Sequence, residues 1–311
     1  MGRPTGGGGD VTPLQRILHS AFRIPHSAFR ISFRPPPPHP APSRSLHSAF
    51  FILCILHFVK LPFVPKLSVT IITRDEAANI GPALESVAWA DEILVVDSGS
   101  TDDTVALARR HTERVFVRDW PGFPAQKNWA GEQACHDWIL SIDADERVSP
   151  ALAAEIRALL ASEPGPRGFR IPRVSHYLGR WLRSTDWYPD YQLRLYDRRV
   201  ARWGGTHVHE GVEVPGPVGR LRHELQHLPY RDMSHHLRTI DRYTTLSATQ
   251  MYEAGRRVSA PALVLRPAAA FVRNYVLRGG WRDGSVGLVV SGLNSYYVFL
   301  KFAKLWELGR K

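Results

Sequence analysis

Cysteine and methionine are nearly missing from this chain of 311 residues, which has 2 cysteines, Cys54 and Cys135, and 3 methionines. Two cysteines cannot form a disulfide framework, and no Cys/His spacing points to zinc, so a reducing compartment is expected. No Gly-x-Gly-x-x-Gly or Walker pattern follows an apolar strand, which removes the usual dinucleotide and P-loop sites. Nor is there a clean apolar run of the roughly 20 residues that cross a bilayer. The run at 49–59 has eleven residues and ends at Lys60, and no small-residue cleavage site follows it. Segments 260–277 and 286–306 are apolar but are interrupted by Arg266, Arg273, Ser291, Asn294, Lys301 and Lys304. They read as interfacial elements, not spans. Acidic residues are scarce at both ends. Of the formal net charge of +11, residues 1–65 carry +6, residues 256–311 carry +8, and the middle carries −3. Basic ends on a near-neutral body point to an anionic surface as partner, and an ordinary solvated basic face is the plain alternative.

What is present divides the chain in three. In residues 1–65, His-Ser-Ala-Phe occurs three times and Pro35 to Pro38 form an unbroken run. Such a segment suits disorder or extended polyproline, and it is expected to be translated sequence upstream of the true start. Residues 66–235 read as a catalytic α/β body and residues 236–311 as an amphipathic helical region. A hydrophobic content of 44 % with 22 % charged residues is enough for a real core.

The body alternates strands and helices. Leu67-Ser68-Val69-Thr70-Ile71-Ile72-Thr73 reads as a buried strand, and a helix through Ile80, Leu84 and Val87 follows. Glu92 to Val96, Arg114 to Val117 and Trp138 to Ile142 are further strands. Helices are expected around Val105 to Ala108, capped by Ser100 or Thr101, around Ala125 to Ala134, and around Pro150 to Leu160. Short connections between them argue for a parallel sheet covered on both faces. Beyond this come a strand at Gly168 to Pro172, an aromatic polar stretch through Trp187 and Tyr188, and another strand at Gln192 to Tyr196. Thr206 to Glu210 reads as a loop or strand edge. Leu237, Ile240, Tyr243, Ser247 and Met251 then recur at helical spacing.

Two of the buried strands end in carboxylates: Val96-Asp97-Ser98-Gly99-Ser100-Thr101-Asp102-Asp103 and Ile142-Asp143-Ala144-Asp145-Glu146. In an open parallel sheet both ends face the same crevice, where ligands of α/β folds bind. The Asp-x-Asp pair brings two hard oxygen donors close enough to share a divalent cation. This combination points to a nucleoside-diphosphate and metal site, and hence to an enzyme.

Thr73-Arg74-Asp75-Glu76-Ala77-Ala78-Asn79-Ile80, the turn from Val96 to Thr104, and Asp143-Ala144-Asp145-Glu146 together resemble an inverting family 2 glycosyltransferase with the GT-A fold. Tyr177-Leu178-Gly179-Arg180-Trp181, Trp187-Tyr188-Pro189-Asp190, Val208-His209-Glu210 and Asp283-Gly284 are similar to the bacterial branch that includes lipopolysaccharide-core β-1,4-glucosyltransferases. The resemblance covers roughly residues 66–305. It implies a Rossmann-like, mostly parallel sheet between helices, with a basic helical C-terminal extension.

For function, the resemblance implies metal-dependent transfer of a hexose, glucose by analogy, from a UDP-sugar to a lipid-linked or lipopolysaccharide-core saccharide. Thr73, Glu76, Asp97 and Ser100 are then expected around the nucleoside. Asp143 is expected on the ribose, and Asp145 with Asp143 on Mg²⁺ or Mn²⁺. His209, or else His207, is expected to complete the metal or diphosphate site. Lys127 and Arg194 are expected to pair with the diphosphate. Inversion needs a base within reach of the acceptor hydroxyl; Glu210 is the first candidate, with Asp186 and Asp190 as rivals. Processive members of the family carry Gln-x-x-Arg-Trp and many membrane spans. Here Gln192-Leu193-Arg194-Leu195 lacks the Trp, so processive synthesis is not expected.

The implied setting is the cytoplasmic side of the cell membrane, with the basic C-terminal helices on anionic lipid. Three rival readings remain. Transfer to a polyprenyl phosphate needs no carboxylate base. Nucleotidyl transfer also uses paired carboxylates and Mg²⁺ but releases pyrophosphate. A single-stranded nucleic-acid binder would show steep salt dependence, yet it gives Asp97, Asp143 and Asp145 no role, so no nucleic acid is expected.

Overall fold

The computed structural model describes residues 64–205 and 210–310. The expectations for residues 1–63 and for His207 and His209 lie outside the described residues. The chain runs β1 (Leu67–Thr73), α1 (Ala77–Ser86), β2 (Glu92–Asp97), α2 (Thr104–Ala108), β3 (Val115–Val117), α3 (Phe123–Gln133), β4 (Trp138–Asp143), β5 (Glu146–Val148) and α4 (Pro150–Ala161). It continues through β6 (Gly168–Tyr177), β7 (Arg180–Leu182), β8 (Asp190–Asp197), β9 (Arg202–Gly204), β10 (Gly211–Glu213), β11 (Gly219–Arg220) and β12 (Leu225–His227). Three long helices follow, α5 (Met233–Glu253), α6 (Ala260–Val272) and α7 (Gly284–Leu308).

The main sheet has the order β3-β2-β1-β4-β8-β6-β12-β5. Its first four strands are parallel, with Thr73 opposite Asp97 and Ile72 opposite Asp143. This register carries both acidic strand ends to one edge. From β8 onward the sheet is mixed: β8 is antiparallel to β4 and β6, and β12 is parallel to β6 but antiparallel to β5.

All seven residues of β1 are buried, because neighbouring strands flank it and helices cover both faces. Leu67, Val69 and Ile71 pack with Ile80, Leu84 and Val87 on one side. Ile72 turns to the other, with Leu94, Val96 and Ala130 under Phe116, Phe123 and Trp129. Two apolar faces explain why these strands read as continuous apolar runs instead of alternating ones.

Local chemistry sets the ends of several helices. Ser149 caps α4, its side chain accepting from the Leu152 N–H at 3.2 Å ahead of Pro150. Asp232 caps α5 through the His235 N–H at 2.6 Å. The expected cap of α2 by Ser100 or Thr101 is not formed; its N-cap is Asp103, with no side-chain cap bond. Ser100 is engaged elsewhere, donating to Asp97 and accepting from the Asp75 N–H at 2.8 Å.

The aromatic polar stretch turns into structure: β6 runs on to Tyr177 and forms a hairpin with β7. Segment 260–277 is α-helical to Val272, then widens into a short π-helical turn, Arg273–Leu277. Residues Gly280–Leu308 form one helical run long and apolar enough to cross a membrane by length and composition, with a mean hydropathy of 1.3 over an 18-residue window. This run packs against α5 and α6: Phe302 and Leu305 meet Ala248 beside Met251 and Leu263.

Candidate active site

A cleft of about 1060 Å³ opens at the acidic sheet edge. Thr73, Arg74, Asp75, Glu76 and Ser98 line one end, Asp143, Ala144, Asp145 and Glu210 its floor, and residues of α5 the far wall.

Asp143 is the anchor of a buried charge network. Lys127 Nζ lies 3.1 Å from one carboxylate oxygen and Arg194 donates to the other at 2.7 Å. Burial alone would raise the Asp143 pKa; the Arg194 guanidinium and the Lys127 ammonium hold it well below the usual carboxylate range. Arg194 also donates to Glu146 at 2.8 Å, and Arg173 bridges Glu146 and Asp190 at 2.9 and 2.6 Å. Glu146 accepts from the Asp143 N–H at 3.0 Å, which locks the Asp-Ala-Asp-Glu turn onto its own strand. Charges this deep are kept because each is paired and hydrogen-bonded.

Three residues expected at the donor, Lys127, Arg194 and Asp97, are engaged by the protein itself. Lys127 and Arg194, expected at a diphosphate, are only 1 % and 3 % exposed and are tied to Asp143. They sit beneath the cleft and position its floor. Trp203 covers both cations, 4.3 Å from Lys127 and 5.6 Å from Arg194. Asp97, expected at the nucleoside, is wholly buried. Its Oδ1 accepts from the Gly99 and Ser100 N–H groups at 2.9 and 2.8 Å and its Oδ2 takes the Ser100 hydroxyl. It therefore shapes the turn, as does Ser100, while Ser98 reaches the cleft.

Thr73 and Glu76 do line the cleft. The Thr73 hydroxyl is buried with no partner among the described residues. Glu76 accepts from Asn79 at 2.7 Å, and burial raises its pKa, with Asp145 pushing the same way.

The three candidate bases separate cleanly. Asp186 is outside the cleft, held by Arg273, Arg278 and Asn274. Asp190 is bound to Arg173 and Gln192. Glu210 lines the cleft; Lys127 holds one of its oxygens at 2.9 Å, and the other is buried with no hydrogen-bond partner among the described residues. An unsatisfied buried acceptor at a ligand cavity is costly unless a donor arrives, so Glu210 Oε2 is built to meet one.

Asp145 Oδ2 lies 3.3 Å from His227 Nε2 at the end of β12. The other ring nitrogen, Nδ1, is 3.1 Å from Ser175 Oγ, which fixes the ring. Sequence reasoning missed His227. Its only signal was a short strand, Leu225-Gln226-His227, closed by Pro229, and the pairing with Asp145 comes from sheet order. Arg231 was missed as well; it lines the cleft and its charge acts on Glu76. Among the described residues no group of three or more His, Cys, Asp or Glu converges on one point. The Asp145–His227 pair nonetheless suits Mg²⁺ or Mn²⁺, which take few protein ligands and fill the rest of their shell with phosphate oxygens and water.

Residues 68–212 match the family model for glycosyl transferase family 2. The chain is 34 % identical over 253 residues to the lipopolysaccharide core biosynthesis glycosyltransferase LpsC of Rhizobium meliloti, covering 78 % of this chain and 94 % of that protein. It is 30 % identical over 254 residues to an uncharacterized glycosyltransferase of Rickettsia felis, covering 78 % and 90 %. Among solved structures it is similar to the mannosyltransferase PcManGT of Pyrobaculum calidifontis in complex with GDP-Man and Mn²⁺, at 15 % identity and a TM-score of 0.47 over 83 % and 94 % of the two chains. With the sheet, the acidic edge and the Rhizobium and Rickettsia relatives in view, the chain belongs to glycosyltransferase family 2 and is a glycosyltransferase with a mixed sheet, parallel in its first four strands, between helices.

Proposed function

We propose that this enzyme transfers a hexose from a UDP-sugar, with inversion and with the help of Mg²⁺ or Mn²⁺, to a lipid-linked saccharide of the lipopolysaccharide core. The observation that carries the reading is the Asp145–His227 pair on the cleft floor beside Glu210 and its free oxygen. Asp145 and His227 are the residues that would hold the cation. When bound, the metal supplies Lewis-acid neutralisation of charge on the departing diphosphate.

The chain's own residues supply the rest. Thr73, Glu76 and Ser98 bound the nucleoside end of the cleft. Arg231, exposed and without an ion-pair partner among the described residues, is available to the diphosphate. Glu210 takes the proton of the attacking hydroxyl at Oε2. Lys127 and Arg194 keep Asp143 ionised and in place beneath.

The C-terminal helices supply a membrane contact for a lipid-linked acceptor. Val264, Leu265, Leu277 and Trp281 are 71 %, 66 %, 76 % and 56 % exposed, with Arg266 and Arg282 among them. Apolar side chains flanked by cations favour an anionic bilayer surface, on the cytoplasmic side where UDP-sugars are made.

The test is a reaction of the full-length protein with UDP-glucose and lipopolysaccharide from a core-truncated strain, followed by NMR of the new anomeric centre. A β-linked product that disappears in Glu210→Gln supports the reading. Full activity of Glu210→Gln toward a polyprenyl phosphate would move the assignment to that acceptor, which arrives already ionised. Co-sedimentation with anionic but not neutral vesicles, reduced in Leu277→Glu, checks the membrane face.

A further inference from the structure

The wall opposite Asp145 differs from the rest of the site in its charge. Arg231, His235, Thr239, Arg242, Tyr243 and Leu246 line the cleft there. Residues 235, 239, 242 and 246 are spaced by three and four and therefore share one face of α5. Arg238 lies on the same stripe, between His235 and Arg242. Some cations of the C-terminal helices are neutralised, Arg273 and Arg278 by Asp186 and Lys304 by Asp241 at 2.7 Å, while Arg266 and Arg282 lie only over the rings of Phe302 and Trp281, away from the cleft lining. Among the described residues Arg231, Arg238 and Arg242 form no ion pair with a carboxylate; Arg242 only packs 5.2 Å over the Tyr243 ring.

The local field agrees. Burial first, then the Arg231 and Arg238 charges, lower the pKa of His235, and the Asp232 carboxylate opposes them.

A second cavity, of about 170 Å³, adjoins this wall and shares Tyr230, Thr239 and Tyr243 with the cleft. Trp187, His236, Asn294 and Tyr297 complete it. Aromatic faces with hydroxyl and amide groups between them suit a polar ring, whose flat side stacks while its hydroxyls bond. Arg231 precedes α5 and acts on Glu76 at the nucleoside end, whereas Arg238 and Arg242 stand roughly 8 and 14 Å along the helix from Met233 at 1.5 Å per residue.

We propose that Arg242, which lines the cleft, binds an anionic substituent, a phosphate or a carboxylate, on the acceptor saccharide, whose ring lies against Tyr230 and Tyr243, with Arg238 adding its charge from the helix surface one turn away, outside the cleft lining. The inference rests on the glycosyltransferase reading above and names the chemical class of its acceptor. Guanidinium forks match both anions in bidentate geometry. In a cleft already holding the carboxylates Asp145 and Glu210, they also offset the repulsion an anionic acceptor would meet.

The test uses calorimetry on the full-length protein with UDP and Mn²⁺ present. The probes are delipidated lipopolysaccharide core oligosaccharide in three forms: native, dephosphorylated with hydrogen fluoride, and carboxyl-reduced. Stripping one kind of anion is expected to weaken binding about tenfold or more, and which form loses affinity identifies the group. Arg238→Gln with Arg242→Gln should bind the native form as weakly as the stripped one, with UDP affinity unchanged; the double Lys variant should recover part of the loss. Equal affinity for all three forms overturns the proposal, as does no affinity for any while UDP still binds. A double Gln variant that loses UDP overturns it too, by assigning the arginines to the donor diphosphate. Wild-type protein that binds no UDP overturns the donor reading itself.

Discussion

On the sheet side of the cleft Asp143, Glu146, Asp190 and Glu210 are met by Lys127, Arg173 and Arg194. On the α5 side Arg231, Arg238 and Arg242 form no ion pair with a carboxylate among the described residues, and Glu76 and Asp232 reach Arg231 and Arg238 only beyond ion-pair distance. The difference follows from burial. Lys127, Arg194 and Glu146 are nearly inaccessible, and an unpaired charge at such depth costs several kcal/mol. The α5 arginines are exposed, and water supports them until a ligand comes. One wall is therefore a finished scaffold that fixes Asp145 and Glu210, and the other is an open row of donors. A ligand gains most where the protein has left charge unanswered.

Substitutions on the two walls should then fail in different ways. The largest effect is expected at the free oxygen of the scaffold wall. Glu210→Gln should lower kcat by about 10²–10⁴-fold, the usual contribution of a positioned base, with little change in Tm, as read by UDP release and thermal melting. Loss of folding instead would make Glu210 a structural partner of Lys127. Next comes Glu146, which no substrate reaches. Glu146→Ala leaves Arg173 and Arg194 short of a partner and should cost about 3–5 kcal/mol, a drop in Tm of roughly 10 °C. A Tm within a degree or two of wild type would show that the network is not what holds this wall.

The smallest effect is a pH dependence at the aromatic end of the α5 wall. His236 is buried, stacked on Tyr230 at 3.9 Å, and bonded to the Tyr177 hydroxyl at 3.0 Å. Burial, then the neighbouring His235, lowers its pKa from 6.5 to about 4. A group whose folded pKa is depressed contributes stability that is fully present above its unfolded pKa. That stability is lost as pH falls towards the folded value. Tm should therefore decline between pH 6.5 and 4, and His236→Phe should flatten part of that decline. An unchanged slope in the variant would remove His236 from the pH response.

How legible these features were depends on where their cause lies. The parallel half of the sheet could be read because its signal is local: β-branched runs between short helices, each strand ending in an acidic turn. The same locality exposed Asp145 and Glu210, which sit in motifs. For Asp97 and Lys127, expected at the ligand, residue type does not show direction. Asp97 turns back on its own N–H groups, and Lys127 turns down under Asp143. His227 and Arg242 reach the cleft through long-range packing, β12 beside β6 and α5 along the cleft wall. Nothing within a few residues of either announces that.

The central claim is that Asp145 and His227 form a metal-dependent donor site, and nucleotide binding tests it most directly. Thermal shifts of the full-length protein would be recorded with UDP, GDP, CDP and dTDP, with and without Mn²⁺, on wild type, Asp145→Ala and His227→Ala. At 100 times its Kd a nucleotide should stabilise the fold by about 2.7 kcal/mol. The account predicts a UDP shift that requires Mn²⁺ and is lost in Asp145→Ala and reduced in His227→Ala. A UDP shift of equal size without metal and in both variants would contradict it.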